Sequence, residues 1–280
     1  MTLLRVTDLC SKGLKACYTT KDQTDEELKL GVTEERFQWE LQKIGELRTL
    51  LPKSVNMLVL TNTATPSLWI EMSYLFGLRN EVTLSIPPCR SNVMFVITSV
   101  SKLEDVLEPI AEKLKKEQSH YTRTLIYCQT DDHCANLYLY FKHKLGSSLL
   151  DPPDAPDLAA GGYVQPIVKK TIIERFTKQS SLQFVIVTKA FGLDIDCFGV
   201  QQIIHVGPHL DLESYIQETS QDGAPSVALL CKHSKKKPLL DLSMIKYVSN
   251  EMTCRRDVLF GLFDNYERRF SVDLRMCCDM

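Results

Sequence analysis

QQIIHVGPHLDLESYIQETSQDGAPSVALLCK, residues 201–232, holds a complete unit of folding grammar. The run QQIIHVG (201–207) is apolar almost without alternation, which suits a strand buried on both faces. Residues 211–221 carry a helical pattern, and Asp222-Gly223-Ala224-Pro225 breaks it. SVALLCK (226–232) is a second apolar strand. Strand, helix and strand in this order predict parallel α/β architecture. The junction between helix and second strand is a good place for arginines that meet a phosphate, yet no arginine lies between Arg175 and Arg255.

The same grammar extends outward. Further strands are predicted at LKACYTT (14–20), VNMLVLT (55–61), TLIYCQT (124–130) and FVIVTKAF (184–191). Helical patterns cover 24–51, 67–78, 102–118, 131–146 and 168–179. Pro109 predicts a kink or break within 102–118. SSLLDPPDAPDLAAGGYVQP (147–166) reads as a surface loop. RNEVTLSIPPCRSNVMFVI (79–97) reads as a connector stiffened by Pro87-Pro88, which sets a domain boundary near residue 98. Three segments follow: 1–97, 98–238 and a helical 239–280. No repeat or low-complexity tract is present.

Composition agrees with folded domains. The chain has 280 residues, 44% hydrophobic and 24% charged, enough for one large or two ordinary domains. A net charge of −2 gives no whole-molecule attraction to polyanions. Binding of that kind would fall to local patches: Lys169-Lys170, Lys235-Lys236-Lys237, Arg255-Arg256 or Arg268-Arg269. Each of these also reads as a solvated surface run. No apolar run approaches the roughly 18 residues of a membrane span, and the charged N-terminus does not suit a signal peptide. The expected setting is intracellular, with the ten cysteines mostly reduced.

Several strand ends carry chemistry. VIVTKAFGLDID (185–196) delivers Gly192, Asp194 and Asp196 beyond a strand, where open α/β sheets bind ligands. They would serve a ribose or a metal, or simply cap the strand. TLIYCQT leads into a helix opened by Asp131-Asp132, whose charges oppose a bare anion at that N-terminus. The threonines of LTNTATP (60–66) either touch a nucleic-acid backbone or cap the helix that follows.

Taken in order, KIGELRTLLP, LTNTAT, TLIYCQT, VIVTKAFGLDID, ESYIQET and CRRDVLFGLFDNYE resemble the RecQ family of ATP-dependent DNA helicases. The resemblance runs from about residue 4 to the C-terminus and is densest over 124–263. It implies RecA-like parallel sheets flanked by helices, partial in 1–97 and complete in 98–238. A zinc-binding helical subdomain would begin in 239–280. It implies ATP and Mg²⁺ between the domains, 3′–5′ movement on single-stranded or forked DNA, and a nuclear location. On this sequence Gly192, Asp196 and Gln217 would remain of the nucleotide site. Thr61, Thr63, Thr188, Lys189, Lys169 and Lys170 would meet nucleic acid. Cys254, Cys277 and Cys278 would supply part of a zinc site, or form a frayed tail of free thiols.

The departures from the family concern charge. The 280 residues contain no GxxxxGK[ST] and no DEAH-like box. Where the family's last motif reads QETGRAGRDG, this chain reads QETSQDGAPS. The expectation is a chain unable to hydrolyse ATP alone. The alternatives are a module that binds nucleic acid or regulates a full-length helicase, or a fragment with no separate function.

Overall fold

A computed structural model describes residues 5–9, 14–17, 59–61, 65–78, 80–146, 172–180, 182–188, 197–219, 225–233, 240–263, 266 and 277–280. The chain divides into two compact units, Met1–Cys89 with Phe260–Glu267, and Arg90–Leu259 with Arg268–Met280. The predicted helix 24–51, the loop 147–166 and the Lys235–Lys237 and Arg268-Arg269 patches lie outside the described residues.

In the first unit, β1 (Arg5–Leu9), β2 (Leu14–Cys17) and β3 (Val59–Thr61) form a three-stranded sheet in that order. Both pairings are antiparallel. This corrects the expectation of parallel pairing at 14–20 and 55–61, since apolar content alone does not set strand direction. Helix α1 (Pro66–Leu75) follows. Thr65 caps it, its hydroxyl accepting from the Leu68 N–H at 3.4 Å, and Pro66 occupies the first turn, where a missing N–H costs nothing. Of the two roles open to the threonines of LTNTATP, Thr65 takes the capping one.

The second unit is built on a five-stranded sheet. Its strands are β4 (Val93–Val100), β5 (Thr124–Cys128), β6 (Phe184–Thr188), β7 (Gln202–Val206) and β8 (Ser226–His233), in the order β4-β8-β7-β5-β6. All four pairings are parallel. Alternate residues supply two cores. Ile126, Cys128, Phe184, Ile186, Ile204 and Val206 face one side, and Leu125, Tyr127, Val185, Val187 and Ile203 face the other. That is why these strands read as unbroken apolar runs.

Helices cover both faces. Helix α2 (Glu104–Glu117) and α3 (Asp131–Leu145) close the first core. Pro109 does not interrupt α2. Leu107, Ile110, Ala111 and Leu114, spaced as one helical face, are buried on both sides of the proline, and this packing overrides it. A helical stretch at 172–176 brings Ile172 and Phe176 to the second core. Helix α4 (Leu212–Thr219), α5 (Leu242–Ser249) and α6 (Arg255–Phe260) complete the described elements.

Two expectations fail near the ends of this unit. The stretch 79–97, read as a connector, contains the start of β4, so residue 98 lies inside a strand rather than at a boundary. Pro87-Pro88 stiffens only the residues before VMFVITSV, which is itself apolar enough to pair with β8 along its whole length. The tail read as frayed is instead docked. Residues 277–280 lie along the free edge of β4, with Phe95 N–H donating to Cys277 O and Asp279 N–H to Phe95 O, both at 3.2 Å. The Ile97 N–H donates to Asp279 Oδ2 at 2.9 Å. The tail thus covers the edge at Phe95 and Ile97, where it would otherwise offer backbone groups to another chain.

Candidate functional site

Because every pairing in the second unit is parallel, its carboxyl ends share one rim, the place where open α/β sheets take ligands. At that rim β5 leads to Gln129 and Thr130. Thr130 caps α3, accepting from His133 N–H at 3.2 Å. The Gln129 amide donates to Pro208 O at 2.8 Å, tying the end of β5 to the turn after β7. Gly207 makes that turn at φ +96°, and a Cβ there would stand 2.9 Å from Gln129 Nε2. Thr188 ends β6 and is half-buried. Gln217 projects from α4, also half-buried. Asp211 holds the start of α4, its carboxylate accepting from Ser214 N–H at 2.7 Å and Ser214 Oγ at 2.9 Å.

The structure therefore places Thr188 and Gln217 on elements that leave this rim. Thr61 ends β3 in the first unit. Thr63, Lys169, Lys170, Lys189, Gly192 and Asp196 lie outside the described residues.

Three arginines of the second unit are committed to structural bonds. Arg255 and Arg256, read as a surface patch, are 6% and 3% exposed. Arg255 donates to Asp279 Oδ1 at 2.9 Å and to the Asn250 carbonyl. Arg256 donates to the carbonyls of Arg90 at 2.5 Å, Ser91 at 3.3 Å and Val93, and lies 5.3 Å from the Phe95 ring centroid. Arg123 donates to the carbonyls of Arg175 at 2.9 Å and Phe176 at 3.0 Å. Arg123 and the partners of Arg256 lie just before β5 and at the start of β4, on the amino edge opposite the ligand rim. One charge between β7 and α4 is a buried carboxylate. Glu218 Oε2 lies 3.1 Å from His205 Nε2 and 2.6 Å from His209 Nε2. Burial pushes the Glu218 carboxyl up, but the two imidazoles outweigh it and hold it below the usual range. Burial pushes His205 below its ordinary value against the pull of Glu218. Glu218 is thus a buried anion held by two rings, while Gly192 and Asp196 lie outside the described residues. Sequence reasoning passed over this triad. The signal was a histidine inside an otherwise apolar strand, because a polar group buried there demands a partner.

The three cysteines do come together. Cys254 Sγ lies 3.4 Å from Cys277 Sγ and 3.7 Å from Cys278 Sγ, and adjacent Cys277 and Cys278 both reach it. A tetrahedral zinc with Zn–S of about 2.3 Å would space its sulfurs about 3.8 Å apart. The trio fits three corners of such a site. Burial raises the Cys254 thiol, but hydrogen bonds from the Asp257 and Arg256 N–H groups and from both other thiols outweigh it and lower it overall. Cys277 is pushed up to about 12 by burial and by its neighbour Cys254. Cys254 thus ionises before Cys277.

No protein-family profile matches the chain. Among curated proteins it is 24% identical over 246 residues to ATP-dependent DNA helicase Q-like 2 of Arabidopsis thaliana, covering 81% of this chain and 33% of that protein. It is 25% identical over 187 residues to ATP-dependent DNA helicase RecQ of Bacillus subtilis, covering 66% of this chain and 28% of that protein. The chain spans about a third of the length of the first curated relatives it matches. Among solved structures it superposes on Mss116p bound to ssRNA and AMP-PNP, with a TM-score of 0.56 at 16% identity over 76% of this chain and 42% of that one. It superposes also on Dbp5 of S. cerevisiae bound to RNA and ADP BeF3, with a TM-score of 0.54 at 14% identity over 84% and 55%. No helix among the described residues is long and apolar enough to cross a membrane. In sequence the chain is similar to RecQ-type ATP-dependent DNA helicases, and in fold its five-stranded parallel sheet is RecA-like.

Proposed function

We propose that this chain is a nucleic-acid-binding relative of the RecQ-type 3′–5′ DNA helicases that does not hydrolyse ATP on its own. The observation that carries this reading is the junction between α4 and β8. There the sequence QETSQDGAPS offers no guanidinium, and the nearest described charge is the Glu218 carboxylate. Phosphoryl transfer is catalysed almost entirely by positioning and electrostatic stabilisation, and an arginine at the transferred group contributes roughly 10³–10⁵ in rate. The 280 residues themselves contain no GxxxxGK[ST] that could cradle the phosphates. Arg255 and Arg256 do not substitute, because their bonds are made to Asp279 and to backbone carbonyls.

Nucleic-acid binding rests on the kinship and on the rim of the second unit, where Thr188 stands beside the threonine-capped start of α3. Lys169, Lys170 and Lys189 add charge in sequence. The geometry of the three cysteines supports zinc as a structural cofactor of this unit. The test is fluorescence anisotropy of labelled single-stranded DNA against a salt series. Neutralising two or three phosphates should lower log K with log salt at a slope of about −1.4 to −2.1. The triple substitution K169A/K170A/K189A should flatten that slope. Binding as weak as that of an unrelated acidic protein, without salt dependence, would contradict nucleic-acid binding. Titrating a full-length helicase with the chain, and finding that unwinding is inhibited, would point instead to a regulatory module.

A further inference from the structure

Three side chains with metal-ligating atoms meet between β7 and α4. His205 is on β7, His209 in the turn that follows and Glu218 in the last turn of α4. Their ligating atoms all lie within 4.8 Å of one another. The His205 and Glu218 side chains are 1% and 3% exposed, and that of His209 is 14% exposed. Burying a carboxylate costs several kcal/mol unless opposite charge and hydrogen bonds compensate it. Among the described residues its hydrogen-bonding partners are the two imidazoles. Glu218 Oε1 and His205 Nδ1 are both fully buried with no hydrogen-bond partner among the described residues. The carboxylate therefore keeps an unused lone pair in the interior.

The donor set is two imidazole nitrogens and one carboxylate oxygen, a combination that binds zinc with a fourth position left open. Zinc distances of about 2.0–2.2 Å would space the ligand atoms about 3.3–3.5 Å apart in a tetrahedron. The His205–Glu218 separation of 3.1 Å is already close to that. The His209–Glu218 separation of 2.6 Å would open by less than about 1 Å. His209 is the ligand able to move, since it sits in a turn and reaches solvent. The other two are held. Tyr127 stacks on the His205 ring at 5.0 Å and 7°, and Tyr215 meets it edge-on at 4.9 Å. Two fixed ligands and one adaptable ligand at the surface give both a preorganised site and a way in.

We propose that His205, His209 and Glu218 form a divalent transition-metal site of the zinc class, independent of the three-cysteine cluster. The bound ion ties β7 to α4, the helix that carries Gln217, and its fourth position faces solvent beside His209.

The test is a cobalt(II) titration of the whole chain, followed by absorption spectroscopy and by metal content after gel filtration. Cobalt on this site gives ligand-field bands without thiolate-to-metal charge transfer, whereas cobalt on the cysteines gives the charge-transfer band. His209→Gln and Glu218→Gln should each remove one equivalent of metal. They should weaken the thiolate-free signal by at least the 10–100-fold that loss of even an outer-shell partner costs. Any charge-transfer band should stay unchanged, and His120→Gln, far from the site, should leave both signals intact. Glu218→Gln keeps the side-chain shape, and circular dichroism confirms that each variant is folded. The proposal is overturned if the wild-type chain binds no cobalt outside the charge-transfer signal. It is equally overturned if folded H209Q and E218Q bind as the wild type does.

Discussion

Replacing Arg256 with methionine tests whether that guanidinium is structural, as its geometry says, or held for a phosphate. Methionine keeps an apolar stem of similar length and removes three hydrogen bonds to carbonyls at the start of β4. Arg90 and Ser91 are exposed, so water can satisfy their carbonyls in the variant. Val93 is fully buried, and its carbonyl is left without its charged donor. An orphaned buried acceptor costs about 1–3 kcal/mol. The guanidinium also loses its place 5.3 Å from the Phe95 ring centroid, worth about 0.5–1 kcal/mol. The expected loss is about 3 kcal/mol, a large share of the roughly 5–15 kcal/mol that holds a domain together. With a urea m-value of about 2 kcal/mol/M the midpoint should fall by about 1.5 M. Arg256→Lys, which retains charge but not the fork, should fall in between. Urea denaturation followed by circular dichroism measures both. An unfolding free energy for R256M within about 0.5 kcal/mol of wild type, the range of ordinary surface substitutions, would refute the structural assignment.

Three further outcomes follow from the same geometry. Gly207→Ala forces a side chain into a left-handed backbone at φ +96° and against Gln129, whose bond to Pro208 must break. The strain of about 1–2 kcal/mol and the lost bond of about 0.5–1.5 kcal/mol should lower stability by about 2–3 kcal/mol in urea, and an unchanged midpoint would contradict this. Stability should also fall in acid in two stages. His205 has a lowered folded pKa, so the unfolded chain takes up its proton first and stability drops as pH falls through about 6.5; Glu218, also lowered, adds a second loss as pH falls below about 4.5. Thermal melts from pH 8 to about 3 should show both, and E218Q should show a smaller second loss, since the Asp279 carboxyl is lowered too; a melting temperature flat from pH 7.5 to 5.5 would contradict the first. Finally, brief iodoacetamide treatment of metal-free chain near pH 7 should alkylate Cys254 before Cys277 by mass spectrometry, because Cys254 is lowered and less buried while Cys277 is pushed up to about 12. The reverse order would contradict it.

The parallel sheet was legible because burial on both faces leaves a plain mark: TLIYC, FVIVT and QIIHV read as unbroken apolar runs and form three neighbouring strands of the sheet. The edge strand β4 was not. VMFVITSV was absorbed into a connector because Pro87-Pro88 drew the reading away from it, and its partner β8 lies more than a hundred residues on. Strand direction in the first unit was misread for a related reason, since hydrogen-bond pattern depends on which strands meet and not on how apolar they are. The cysteine trio was legible as composition, but its closeness was not. Adjacent Cys277 and Cys278 reach Cys254 only because residues 277–280 dock on β4. Arg255-Arg256 looked like a surface pair because charge runs usually are. Burial of both depends on carbonyls and an Asp279 carboxylate distant in sequence. The histidine–glutamate triad needed the fold as well, because Tyr127 and Glu218 surround His205 only once β5, β7 and α4 are assembled.

The most direct measurement is ATP turnover by the purified chain with saturating single-stranded DNA and Mg²⁺, followed through successive chromatographic steps. A rim without a guanidinium, next to a buried carboxylate, should give no phosphate release above the buffer background, with or without DNA. DNA-stimulated release that tracks the chain at constant specific activity through every column, and vanishes when the chain is immunodepleted, would contradict the account.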